Sequence, residues 1–465
     1  MTAHSMTIPS AFPSLADIAA DLRSGTTSSV DLTAECLQRI TRFDPQFTAF
    51  IAVYADEALA AAQQADADLA SGVDKGPLHG IPVALKDLFD MQGKPTTAGS
   101  PLLLTNEAQR DAEVVARLHK AGAIIVGKTH LVQFALGSWG TNEHMDTPRN
   151  PYGTADVTLA PGGSSSGSTV AVAANIVPWA LGTDTGGSVR VPAAFCGIVG
   201  FKPTIDALPR QGVFPLSQSL DSVGILTRSV DDARICFDAL KDGAQAGSPV
   251  LPASIRVGRL MPRELTPLQP DVASAYADNL EQLERAGFTL VPFEFPVPIE
   301  AFRSVTNAIM ITEGAAANAR FLTDPHAPID TSVRPRLVAA STNLAVDYLN
   351  APAPTAEWKT QFAAPMRKQG LAAVVMPTTA CTAPRIEDMD QSMAPVHFTR
   401  PMNLLALCAL SLPAGFDANG RPIGLQVVGG AWDDAQLLAV CAAMEEVVRP
   451  IAPTLHPTFQ EVVHV

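Results

Sequence analysis

The chain of 465 residues is 47% hydrophobic and 17% charged, which excludes disordered composition and leaves enough apolar surface for a large core. Its formal net charge of −14, without a run of five or six like charges, argues against a nucleic-acid partner, because binding a phosphate backbone needs a basic patch. The opening MTAHSMTIPSAF has neither a basic nor an apolar signal region, and no apolar stretch approaches the roughly 20 residues of a membrane span. A cytoplasmic protein without membrane contact is expected.

In chain order, residues 14–42 carry two amphipathic helical patterns. The second opens with Thr27, Ser28 and Ser29 and places Asp31 in its first turn, hydroxyls and a carboxylate that suit the N-terminal end of a helix. A short strand at 50–54 precedes an Ala-rich helix at about 56–69. Buried strands follow at 80–87 (GIPVALKD) and 123–126 (AIIV), then at 176–181, 254–260, 288–293, 371–376 and 423–428. Helical stretches separate most of them, so the predicted class is α/β, with a large mixed, mostly parallel sheet covered by helices on both faces. A Pro- and Gly-bearing stretch at 243–253 is the best place for a break, and the helix-rich segment at about 264–370 is a candidate cap or subdomain. Because the strands before and after it look alike, one domain over 1–465 is expected.

The six cysteines, at 36, 196, 236, 381, 408 and 441, stand far apart in mostly apolar surroundings and read as small buried hydrophobes. There is no CxxC pair, no HExxH and no Cys/His cluster at ligand spacing, so neither a metal nor another cofactor is expected.

The most informative stretch is 161–204, PGGSSSGSTVAVAANIVPWALGTDTGGSVRVPAAFCGIVGFKPT. Two glycine-serine clusters, 162–168 and 184–188, are joined by an all-apolar helix and a strand. A flexible linker would not be flanked on both sides by fully apolar segments. A Walker-type phosphate loop would need Lys and then Ser or Thr after its last glycine, where Ser168 and Thr169 stand instead.

These residues resemble the amidase signature family. The resemblance covers 161–204 nearly residue for residue and extends to LHGIPVALKD at 78–87, SLDSVG at 219–224, LSLPAG at 410–415 and PIGLQ at 422–426, in all about 14–446 of the chain. It implies a serine hydrolase of linear amide C–N bonds other than peptide bonds, with Ser188 as nucleophile, Ser164 as proton relay and Lys86 as base. It further implies an oxyanion hole from the backbone N–H groups of Thr185, Gly186, Gly187 and Ser188, and a cis peptide between Gly163 and Ser164. Asp184 and Arg190 are assigned to holding the nucleophile loop, and Ser165 and Ser168 to structural support.

The chemistry accounts for these residue types. A serine hydroxyl is a weak nucleophile until a base takes its proton, and neither loop contains a histidine. Lys86 suits that role only if burial lowers its pKa. Strand alternation places Ala84, Lys86 and Leu88 on one face and turns Asp87 to the other, away from the amine.

Two positions depart from the family pattern: Ser166 stands where glycine is usual, and Gln133 where glutamate is often found. Candidate pocket walls are 137–144, 208–216, 310–313 and 376–379, which include Trp139, Phe214 and Met310 and few charges. They lead to the expectation of a small neutral amide or carbamate, aromatic ones included, handled by a monomer or homodimer. A carbamate or ester hydrolase, the A subunit of a tRNA-dependent amidotransferase, and a non-catalytic binding protein on the same fold stay open as alternatives.

Overall fold

Hydroxyls cap the first two helices. Ser14 accepts from Asp17 N at the head of Leu15–Ser24, and Ser28 accepts from Asp31 N at the head of Ser29–Phe47. Both helices bury the face that carries Leu15, Ile18 and Leu22 in one and Leu32, Cys36, Ile40 and Phe43 in the other. The computed structural model describes residues 9–448 apart from 155, 244–248, 253, 266, 267, 343, 344, 392 and 393. Much of the anticipated break at 243–253 therefore lies outside the described residues.

Eleven strands form one sheet: β1 (Phe50–Val53), β2 (Pro82–Lys86), β3 (Ile124–Thr129), β4 (Ala180–Asp184), β5 (Val199–Lys202), β6 (Ser222–Thr227), β7 (Arg256–Leu260), β8 (Thr289–Phe293), β9 (Ala373–Pro377), β10 (Ala409–Phe416) and β11 (Pro422–Val428). Their spatial order is β1-β3-β2-β4-β6-β5-β10-β11-β9-β7-β8. Every residue of β2 to β6, β9 and β11 is buried. Because successive side chains point to opposite faces, this requires cover on both faces, as the apolar runs predict.

The sheet is mixed, but the expectation that it is mostly parallel is corrected. Only β2 with β3 and β4, and β7 with β8 and β9, pair in parallel; the other pairs are antiparallel. Parallel neighbours need a crossover of a dozen or more residues, usually a helix. No helix lies between β5 and β6, and only residues 417–421 separate β10 from β11. The apolar patterns do not mark β5, β6 and β10, which are short or interrupted by Gly and Pro.

The segment 264–370 is largely helical, including Pro270–Arg285, Ile299–Ala317 and Pro352–Gln369, yet it also contributes β8 to the sheet edge. Its helices lie over a second apolar cluster where Phe293, Phe295, Phe302 and Phe362 meet ring to ring. Among the described residues no helix is long and apolar enough to cross a membrane.

The helix Ser166–Ala173 is buried at all eight positions and packs on β2 and β4. Its seat is tight at Gly167, where an added Cβ would come within 2.3 Å of Ala49 O and 2.6 Å of His130 N, both backbone atoms. Gly167→Ala is expected to destabilise the fold by about 1–3 kcal/mol through overpacking, read as a lowered midpoint of chemical denaturation; an unchanged midpoint would show that the backbone there yields easily.

Candidate active site

β2 and β4 are parallel neighbours, so both end at the same edge of the sheet. Lys86 is the last residue of β2, and the loop 185–188 leaves β4 just beyond Asp184. The helix Ser166–Ala173 brings the loop before it to the same edge. There Lys86 Nζ lies 2.8 Å from Ser164 Oγ and 2.8 Å from Thr183 Oγ1. The two glycine-serine loops are joined directly, since Ser165 N donates to Ser188 O at 3.1 Å. The Gly163–Ser164 peptide is cis.

Lys86 and Ser164 are wholly buried, whereas Ser188 keeps 7% of its surface exposed. Burial pulls the Lys86 ammonium down to about 7, against the charges of Asp221 and Asp184, which favour the protonated form. The adjacent Asp87 turns away from the amine: it pairs with Lys128 Nζ at 3.0 Å and accepts from Thr97 N at 3.0 Å.

The loop that carries Ser188 is wrapped around one buried carboxylate. Asp184 accepts from Gly187 N at 2.8 Å and Val189 N at 3.1 Å, and pairs with Arg190 at 2.8 Å. Burial by itself would raise Asp184, but the Arg190 guanidinium beside it holds the carboxyl well below the usual carboxylate range, helped by Lys202 and Asn403. Arg190 also donates to Thr399 O, Gln426 Oε1 and Asn403 Oδ1. Gly187 has φ +134°, and a Cβ there would meet Thr399 Oγ1 at 2.3 Å, so the position takes only glycine.

The four N–H groups anticipated as oxyanion donors are not bonded alike. The Gly187 N–H is directed to Asp184, whereas those of Thr185, Gly186 and Ser188 have no partner among the described residues. Thr185 is steadied by its own hydroxyl, which donates to Asp221 Oδ1 at 2.5 Å. Burial raises Asp221 to about 6.

Ser165 Oγ donates to Thr183 O at 3.1 Å, and Ser168 Oγ donates to Leu181 O at 2.9 Å, so both hydroxyls serve the backbone of β4. The Ser166 hydroxyl is buried without a hydrogen-bond partner among the described residues. Gln133 uses both ends of its amide: Nε2 donates to Ser100 Oγ at 2.9 Å and Pro328 O at 2.8 Å, while Oε1 accepts from Asp330 N at 2.7 Å. A glutamate at this position would lack both donors, which accounts for the departure.

A narrow cavity of ≈ 20 Å³ opens on Ser188, with Thr185 and Gly186 beside it. Of the anticipated walls, 137–144 supplies Gly137 and Ser138, 208–216 supplies Leu216 and 310–313 supplies Met310; Trp139, Phe214 and the segment 376–379 do not line it. The remaining wall includes Arg336 and Arg400, so the expectation of a pocket with few charges is corrected to a cationic one. A larger cavity of ≈ 1120 Å³ borders Thr183 and Asp221 but neither Ser164 nor Ser188. Thr183, Asp221, Arg336 and Arg400 also border the candidate site, and the sequence motifs do not single them out. Alternation places Thr183 opposite in facing to Asp184, and Asp221 lies within the SLDSVG motif. The two arginines come from distant helices and carry no local signal.

The amidase family model matches residues 31–438. The chain is 36% identical over 452 residues to the 2-amino-5-chloromuconic acid deaminase of Comamonas testosteroni, covering 94% of this chain and 96% of that protein. It is also 36% identical over 466 residues to the A subunit of the glutamyl-tRNA(Gln) amidotransferase of Halorhodospira halophila, covering 92% and 95%. Among solved structures, the peptide amidase of Stenotrophomonas maltophilia superposes with a TM-score of 0.82 at 30% identity, covering 97% of this chain and 99% of that one.

Because Asp184 and Arg190 are both fully buried, removing only the cation strands a charge. Arg190→Met is expected to cost about 3–5 kcal/mol, read as a fall in Tm, with part of the loss recovered in Asp184→Asn/Arg190→Met. A double variant no more stable than the single one would show that the pair's electrostatics are not what holds the loop.

Proposed function

The chain belongs to the amidase family and is an amide-hydrolysing enzyme, and from that premise we propose that it cleaves amide C–N bonds through an acyl-enzyme on Ser188. The observation that carries this reading is the buried 2.8 Å contact between Lys86 Nζ and Ser164 Oγ, an amine and a hydroxyl with no carboxylate between them. In the proposed cycle neutral Lys86 takes the Ser164 proton while Ser164 takes that of Ser188, whose Oγ attacks the carbonyl carbon. The tetrahedral oxyanion is met by the N–H groups of Thr185, Gly186 and Ser188. The proton then returns along the relay to the leaving nitrogen, the C–N bond breaks, and water enters by the same route to release the acid. Asp184 and Arg190 hold the loop, Gly163 and Ser165 support it, and the helices of 264–370 act as a cap on a single domain.

The substrate class is a small amide or carbamate, in preference to a peptide bond or to ester cleavage as the main activity. A second reading, the A subunit of a tRNA-dependent amidotransferase, is favoured by the similarity to such a protein. It predicts glutamine-dependent ammonia release and co-purification of partner chains, whereas the free-standing hydrolase is active as a monomer or homodimer.

The test is hydrolysis of a panel of anilides and aryl carbamates. Ser188→Ala is expected to lower kcat roughly ten-thousandfold or more, and Lys86→Met and Ser164→Ala by about a hundredfold to ten-thousandfold. Activity surviving in Ser188→Ala would refute the nucleophile.

The base works only when neutral, so kcat/KM should rise with pH through about 7 and level off above it. A profile that is flat from about pH 6 to 9 would remove lysine from the base role.

A further inference from the structure

Arg190 illustrates how this protein treats a structural arginine: it is fully buried, paired with a carboxylate, and bonded at each guanidinium nitrogen. The two arginines that line the Ser188 cavity are held quite differently. Arg336, in the helix Arg334–Ala339, makes a single side-chain bond among the described residues, donating to Leu136 O at 3.0 Å. Arg400, at the start of the helix Arg400–Leu404, makes no side-chain hydrogen bond or ion pair with any described residue.

Their neighbourhood is repulsive. Burial lowers Arg400 to about 10, and the nearby charges of Arg336 and Arg303 push in the same direction. Burial also lowers Arg336. No carboxylate is among the described residues that line the cavity. Two partly buried guanidinium groups of like charge, rich in unsatisfied donors, raise the free energy of the empty pocket, and an anion between them would offset that cost.

We propose that Arg336 and Arg400 form a carboxylate-binding subsite beside Ser188, and that the amide this enzyme hydrolyses carries a carboxylate a few bonds from the scissile carbonyl. The substrate half of this statement rests on the acyl-enzyme reading above. A planar carboxylate matches the guanidinium fork, which presents parallel N–H donors. The apolar Leu136, Met310 and Val396 complete the walls, so the stretch of substrate between its two polar ends would meet apolar side chains. The acyl donor is then a half-amide of a small dicarboxylic acid. The subsite also gives this acidic chain a locally positive entrance that draws in an anionic substrate.

The test measures binding and chemistry separately. Wild type and the variants Arg336→Met, Arg400→Met and Arg400→Lys are titrated calorimetrically with malonate, succinate and glutarate and with their dimethyl esters. At least one diacid should bind wild type about tenfold to a hundredfold more tightly than its ester, the size expected for hydrogen bonds to a charged group. That preference should collapse in either Met variant and return in part in Arg400→Lys, which also controls for misfolding. Equal affinity for diacid and ester, no diacid binding, or a preference unchanged in both Met variants would overturn the subsite. Labelling of Ser188 by a fluorophosphonate probe reports on the underlying reading. Protection from labelling by the bound diacid supports both. Diacid binding in a protein that is never labelled upholds the subsite and removes the acyl-enzyme.

Discussion

The ε-amino group of Lys86 is taken out of water at the end of β2, against the hydroxyls of Ser164 and Thr183, and the charges around it are arranged to keep it that way. Two buried carboxylates lie close in sequence or space, and each is committed to another cation, Asp87 to Lys128 and Asp184 to Arg190. A carboxylate in direct contact would hold the proton on the amine, since an opposite charge within a few ångströms favours the charged form. At a distance Asp184 and Asp221 still pull upward, but desolvation outweighs them and brings the group from 10.5 to about 7. The buried ion pairs of this region therefore have a chemical consequence, whatever their net effect on stability.

The same economy governs the two glycine-serine loops. Asp184 gathers the N–H groups of Gly187 and Val189, Thr399 donates to Gly186 O at 2.7 Å, and Ser165 bonds both β4 and Ser188. The loop that carries Ser188 is thus held by the protein's own bonds, with the N–H groups of Thr185, Gly186 and Ser188 left without a partner among the described residues. Donors held in place without reorganisation are what stabilise a developing oxyanion. Their usefulness depends on the rigid frame of β2 and β4, which run in parallel and end together.

Much of this was legible in the sequence because it is local. The strand at 80–87, the buried helix after Ser165 and the alternation that separates Lys86 from Asp87 follow from short-range pattern. The amide-hydrolysing family follows from the motif resemblance. The sheet's mixed pairing was only half legible, since β5 and β10 take their partners across long separations and contain Gly or Pro that mask a strand pattern. The cationic pocket was not legible at all. Arg336 and Arg400 reach the Ser188 cavity only after helices from the last third of the chain pack over the sheet edge, whereas the segments 137–144, 208–216, 310–313 and 376–379 carry few charges and suggest a neutral pocket. Gly187 shows the converse limit: the motif marks it as a donor, and only the position of the Asp184 carboxylate reveals that its N–H is already used.

The central claim is that Lys86 is a neutral amine at working pH, and direct titration of that group tests it most closely. In protein carrying isotope-labelled lysine, the Lys86 side-chain resonance, assigned by its absence from Lys86→Met, should titrate with a midpoint near 7. A midpoint near that of an ordinary lysine, about 10.4, would mean that the amine stays protonated beside Ser164 and would contradict the account.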